Sequence, residues 1–206
     1  MKTLYEFIGT FFLVLTIGMV VLEPGLPPGF APIAIGSALA VMIFAGGHVS
    51  GAHYNPAVTA ALFARGKTTA GELGAYWGAQ VAGAVVAALI VLFLKGKGAA
   101  PGTIDLTKAI IVEFLFTFAL CYVVLNVATA KGTSGNSFYG LAIGFTVMAG
   151  AFAVGGVSGG AFNPAVVVAA AVMGMLGWGT IVAYFLAQLV AAYAAAMVFK
   201  SAHPGE

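Results

Sequence analysis

His48-Val49-Ser50-Gly51-Ala52-His53-Tyr54-Asn55-Pro56-Ala57-Val58-Thr59 decides how this chain folds, because its core returns as Val157-Ser158-Gly159-Gly160-Ala161-Phe162-Asn163-Pro164-Ala165-Val166. Each copy runs from a Gly-containing loop into Asn-Pro-Ala. Asn suits a helix N-cap, where its side-chain oxygen accepts an orphan backbone N–H, and Pro suits the first helical position, where its missing N–H costs nothing. Each triplet therefore predicts a helix start. The apolar stretches that follow, Asn55 to Ala64 and Asn163 to Met173, are too short to cross a bilayer, which takes about 20 residues. They are expected to be re-entrant half-helices.

The surroundings of the triplets fit that reading. With 62% hydrophobic residues, 7% charged and a mean hydropathy of +1.08, the 206-residue chain lacks the polar residues to cover a water-soluble surface. Six runs have spanning length: Thr3 to Leu22, Pro32 to Gly47, Leu73 to Leu94, Ala109 to Ala130, Phe138 to Val157 and Ile181 to Phe199. The first is read as a span and not as a signal peptide, since Glu6 lies inside it and no small-residue cleavage pattern ends it. Between the runs, Glu23 to Gly29 reads as a turn-rich loop, Thr69 with Glu72 as a capping box opening the third span, and Lys131 to Ser137 as a short polar loop.

The two triplets belong to a duplication. Glu6-Phe7 and Thr10-Phe11 recur as Glu113-Phe114 and Thr117-Phe118, Gly36 as Gly144, and Tyr76, Ala79 and Gln80 as Tyr184, Ala187 and Gln188. Repeat 1 takes residues 1–97 and repeat 2 residues 105–200, with Lys95 to Leu106 carrying the junction, and 1–206 reads as one domain. Each repeat holds three spans, an odd number, so the second must enter the membrane from the opposite side and the repeats are inverted. The half-helices then enter from opposite faces and meet near the bilayer centre. Irregular backbone at that depth is tolerated only where it lines a cavity, so a central pore or binding site is implied. The fold class expected is an all-α membrane protein, a bundle of six transmembrane helices plus two re-entrant half-helices in an inverted repeat.

Two facing helix starts would place two positive dipole ends and the amide N–H₂ groups of Asn55 and Asn163 at one point. Such a centre welcomes a hydroxyl or carbonyl oxygen and repels cations. A water held by both amides would not readily hand a proton onward.

The stretch His48 to Thr59, with its partner around Asn163-Pro164-Ala165, resembles the signature of the aquaporin, or major intrinsic protein, family, and the likeness covers nearly the whole chain. The resemblance implies a right-handed bundle with one pore per subunit, a homotetramer, and a passive channel for water and small uncharged solutes. It also implies that Glu6 and Glu113, costly charges in lipid, accept hydrogen bonds from the loops that carry the triplets.

The family's narrowest point normally includes an Arg three residues after the second Asn, and here Val166 stands there. Counting from the motifs, the other filter positions are Ile35, Ala151 and Gly160. All four are apolar and two are very small, so a wide, apolar selectivity filter is expected, passing glycerol, urea, or metalloid hydroxides such as arsenite. The Val also gives a weak resemblance to the aquaporins encoded with arsenic-resistance genes. Against a plain glycerol facilitator, Val167 stands where such channels usually carry Asp.

The remaining chemistry is sparse. His48 and His53 are read as lining or bracing the vestibule, since no carboxylate or cysteine lies beside them to complete a metal site. Cys121 is single, excludes an intrachain disulfide and reads as a small buried apolar residue. No nucleophile, base and oxyanion set is present in sequence, so no enzyme activity, cofactor or nucleic-acid partner is expected. Lys2, Arg65, Lys67, Lys131 and Lys200 fall on one side against Lys95, Lys97 and Lys108 on the other, which predicts a multi-pass protein of the cell (inner) membrane with both termini cytoplasmic. An ion-coupled secondary transporter shares inverted repeats and broken helices and is the alternative reading.

Overall fold

The computed structural model describes residues 1–22, 27, 29–96 and 103–206, so most of the loop at Glu23 to Gly29 and residues 97–102 of the repeat junction, with Lys97, lie outside the described residues. The rest is helical, with eight α-helices: α1 (Lys2–Val21), α2 (Ala31–Ser50), α3 (Pro56–Arg65), α4 (Ala70–Lys95), α5 (Leu106–Thr129), α6 (Tyr139–Ser158), α7 (Pro164–Val172) and α8 (Ile181–Ala202). Two single 3₁₀ turns, Lys131–Thr133 and Trp178–Thr180, are the other helical elements among the described residues. Among the described residues six helices are long and apolar enough to cross a membrane, and α3 and α7 are the two short ones expected at the triplets.

Local chemistry sets the boundaries, and several differ from expectation by a few residues. The helices α2 and α6 run on to Ser50 and Ser158 and stop only where Gly51 and Gly159, both at φ 86°, turn left-handed. The capping box opens α4 as expected: Thr69 Oγ1 accepts from Glu72 N and Thr69 N donates to Glu72 Oε2, both at 3.2 Å. Helix α4 thus begins at Ala70 instead of Leu73, since the box itself supplies the first turn. Asp105 does the same for α5, accepting from Lys108 N at 3.2 Å, so that helix starts at Leu106 instead of Ala109. That bond and the Lys108 ammonium at 3.0 Å hold the Asp105 carboxyl below its ordinary range.

Packing repeats the internal symmetry. Helix α1 lies on α4 and α5 on α8, while α2 and α6 cross between the repeats. Each half-helix crosses over as well, α3 packing on α8 and α7 on α4. In lipid no hydrophobic force drives helices together, so small residues must let backbones approach. Ala84, Ala87 and Ala88 of α4 and Ala191, Ala192, Ala195 and Ala196 of α8 are fully buried at these contacts. Leu89, Phe93, Leu186 and Tyr193 on the outer sides are exposed, as lipid-facing residues should be.

Polar contacts sort the helix ends into two faces. The ion pair Lys2–Glu72 at 2.9 Å, the Arg65 Nη1 donation to Glu206 O at 2.7 Å and the Lys131 N donation to Glu206 Oε2 at 3.0 Å bring both chain ends, the end of α3 and the α5–α6 connection to one face. On the other, Lys95 Nζ donates to Met19 O and Leu22 O at 2.7 Å and so caps the last carbonyls of α1.

Candidate functional site

The two Asn-Pro-Ala loops share one set of cap and brace bonds. Asn55 Oδ1 accepts from Ala57 N at 2.8 Å, and Asn163 Oδ1 from Ala165 N at 2.9 Å, which makes each Asn an N-cap with Pro at the first helical position. The residues before them are left-handed: Gly51, Ala52 at φ 50° and Tyr54 at φ 49° in one loop, Gly159, Gly160 at φ 65° and Phe162 at φ 48° in the other. Non-glycine residues seldom adopt that conformation, so something outside the loop must hold it.

Two buried carboxylates are in place to do so. Glu6 Oε1 accepts from Ser50 Oγ at 2.7 Å and His53 N at 3.0 Å, and Oε2 from Tyr54 N at 2.7 Å and Gln80 Nε2 at 2.8 Å. Glu113 Oε1 accepts from Ser158 Oγ at 2.7 Å and Ala161 N at 2.9 Å, and Oε2 from Phe162 N and Gln188 Nε2, both at 2.8 Å. Four donors fill the acceptor capacity of an ionised carboxylate. Tyr76 Oη donates to Ser50 O at 2.7 Å and Tyr184 Oη to Ser158 O at 2.8 Å, closing each loop from behind.

The loops are then joined to each other. Asn55 Nδ2 donates to Phe162 O at 2.8 Å and Asn163 Nδ2 to Tyr54 O at 2.9 Å, two reciprocal bonds between the repeats. Each amide thus spends one N–H on the opposite loop and has a second N–H left. The half-helix starts face each other at this point, with their dipoles' positive ends together.

Both Asn side chains line a cavity of about 660 Å³, and Ile35, Ala151, Gly160 and Val166 line it too. A Cβ built on Gly160 would lie 3.5 Å from the Cα atoms of Ala151 and Gly155, so the two smallest of these residues are neighbours. Pro56, Ala57, Pro164 and Ala165 are buried behind the wall. His53 also borders the cavity, its Nδ1 lying 3.1 Å from Thr59 Oγ1 and its ring edge-on to Tyr76. His48 is exposed, edge-on to Tyr5, and is not among the residues that line this cavity. Among the described residues no group of three or more His, Cys, Asp or Glu side chains assembles that could hold a metal.

Three groups of participants were not assigned from sequence. Ser50 with Ser158, Tyr76 with Tyr184 and Gln80 with Gln188 bind the loops, and their signal was recurrence at one offset in both repeats. Thr59, which accepts from Gln80 Nε2 at 3.0 Å, has no polar counterpart because Val167 stands in its place. Arg65 gave no signal beyond its charge, and it is buried.

Comparison with known proteins agrees with this geometry. The family model described as major intrinsic protein matches residues 1–153 and 103–206. The chain is 36% identical over 181 residues to Aquaporin NIP1-4 of Oryza sativa subsp. japonica, covering 83% of this chain and 66% of that protein. It is 37% identical over 180 residues to Aquaporin NIP1-3 of the same plant, covering 80% of this chain and 60% of that protein. The chain spans under two thirds of the length of these relatives. The X-ray structure of the aquaglyceroporin from Plasmodium falciparum matches with a TM-score of 0.77 at 25% identity, covering 97% of this chain and 93% of that one.

Fold and site together define an inverted-repeat helical membrane protein whose two half-helices meet tip to tip around a cavity. The chain belongs to the major intrinsic protein family, the aquaporins.

Proposed function

We propose that the chain is a passive channel for water and small uncharged solutes, with the cavity as its path and the crossed Asn55 and Asn163 amides as its centre. The single observation that carries this reading is that Asn55 and Asn163 and the four small or apolar residues Ile35, Ala151, Gly160 and Val166 line one cavity. The spare N–H groups offer two donors to a passing oxygen, while the two dipole ends oppose a cation. With Val166 in place of a long cation, and Ala151 beside Gly160, the constriction is wide and greasy. It suits compact, uncharged, hydroxyl- or amide-bearing solutes: glycerol, urea, or the neutral hydroxide of arsenic. Carbonyls of the loop at Gly159 and Gly160 supply acceptors for their hydroxyl groups.

In this reading residues 1–206 act as one channel unit of a homotetramer in the cell (inner) membrane, with both termini cytoplasmic. Glu6 and Glu113 hold the loops, and His53 borders the inner vestibule.

The test is stopped-flow light scattering on proteoliposomes. Shrinkage in a sucrose gradient and re-swelling in glycerol, urea or arsenite gradients are expected to exceed those of empty vesicles. Vesicles that respond no faster than empty ones to all four would overturn the proposal, and uptake that saturates and collapses with the proton gradient would favour an ion-coupled carrier instead.

A further inference from the structure

Arg65 ends α3, the half-helix whose other end is Asn55. A charge at this face should be solvated, yet Arg65 is only 6% exposed. Its guanidinium carbon sits 4.5 Å above the Phe199 ring of α8, and that ring stacks in turn on His203 at 4.2 Å with 14° between the planes. Nη1 donates to Glu206 O at 2.7 Å, and Nη2 stands 3.8 Å from Glu206 Oε2, the same oxygen that accepts from Lys131 N. Nε is buried with no partner.

We propose that Arg65 is a positioning residue: it straps the end of α3 to α8 and to the segment His203 to Glu206, and so sets where Asn55 stands against Asn163. A buried guanidinium with an orphan N–H is costly, and it persists only where surrounding contacts fix it. Those contacts come from α8 and residues 203–206, and the α5–α6 connection holds Glu206 in turn through Lys131 N. Helix α3, of ten residues and about 15 Å at 1.5 Å per residue, is a short rigid rod. Movement at Arg65 is therefore delivered to Asn55. A cation at a helix C-terminus also complements the dipole there. Helix α7 has no such device: no basic residue lies in its last turn, which closes by backbone bonds such as Met175 N to Ala170 O at 2.8 Å. The strap thus controls one half-helix and not the other.

The consequence for flux rests on the channel reading, whereas the consequence for the loop does not, so two measurements separate them. Amide hydrogen exchange is followed by mass spectrometry in lipid nanodiscs, and water and glycerol permeability in proteoliposomes, for the wild type, a chain ending at Ala202, Arg65→Lys and Arg65→Ala. Ending the chain at Ala202 is expected to speed exchange in residues 51–59 at least tenfold and leave residues 159–167 unchanged. Water permeability should fall at least threefold and the glycerol-to-water ratio should shift. Arg65→Lys, which keeps the charge but loses the planar stack, should fall between. If Arg65→Ala yields no folded protein, the shortened chain, which keeps Arg65, decides. Unchanged exchange in the shortened chain, or equal acceleration in both loops, would overturn the proposal. Selective acceleration in a protein that conducts nothing would uphold the strap and sink the channel.

Discussion

At the scale of single residues, Val166 makes the proposed selectivity testable. It occupies the first turn of α7, three residues after Asn163, and is buried to 7% exposure against the cavity. Val166→Arg would add a long side chain, five N–H donors and a charge to a cavity wall that is now apolar at Ile35, Ala151, Gly160 and Val166. Glycerol and urea flux should fall at least tenfold and water flux less than threefold, because bulk excludes the larger solutes while the donors still serve water. The positive charge would sit near a helix N-terminus, so a stability loss of about 0.3–1 kcal/mol should accompany the change. Flux ratios between solutes that stay at wild-type values would remove Val166 from the constriction. Residues of this kind were legible because a motif fixes their count from Asn163. Arg65 was not, since its burial depends on Phe199 and Glu206, far away in the chain.

Elements obey a different logic, that of backbone approach. Helices α2 and α6 cross at Gly36 and Gly144, where a Cβ on Gly36 would come 2.7 Å from Gly144 O and a Cβ on Gly144 2.8 Å from the Ala40 Cβ. Neither neighbour is the end of a flexible side chain, so even Ala must push the helices apart. Gly36→Ala and Gly144→Ala should each cost about 1–3 kcal/mol by overpacking. Gly78→Ala in α4 meets nothing within 4 Å and should instead gain up to about 1 kcal/mol from helix propensity. Unfolding in detergent micelles by temperature or denaturant gives the order, and equal effects at the three sites would refute the close crossing. The pairing of Gly36 with Gly144 was visible as recurrence in the sequence. That the two touch was not, because recurrence gives equivalent positions and not contacts. For the same reason the half-helix starts were readable from Asn-Pro, whereas the crossed bonds from Asn55 to Phe162 O and from Asn163 to Tyr54 O appear only once both repeats are folded.

For the whole molecule, the inverted repeat supplies an internal control, since the same brace occurs twice with one difference. Glu6 and Glu113 each accept four bonds, and replacement by Gln turns one acceptor oxygen into an N–H₂ donor. In Glu113→Gln the new donor can turn toward Gln188, whose Oε1 is buried without a partner and can rotate to accept it. The rotation takes Gln188 Nε2 from Glu113, its bonded partner, and Phe162 N loses its acceptor too, so two donors are left unpaired. Gln80 has an orphan Oε1 as well, but its Nε2 also donates to Thr59 Oγ1, which in turn donates to Asn55 O, so rotation there costs a further bond. The other orientation of the new amide leaves a Ser hydroxyl proton and a loop N–H unpaired in either repeat, also two donors, and leaves Thr59 alone. Repeat 1 is therefore expected to take that orientation. A buried donor left unpaired costs about 1–3 kcal/mol, so Glu6→Gln and Glu113→Gln should each destabilise the protein by about 2–6 kcal/mol in detergent-micelle unfolding. Adding Thr59→Val, which copies Val167 into repeat 1, should leave the Glu6→Gln increment where it is. A larger loss in Glu6→Gln than in Glu113→Gln, removed by Thr59→Val, would mean that Gln80 rotates and that the bond at Thr59 carries the difference between the repeats.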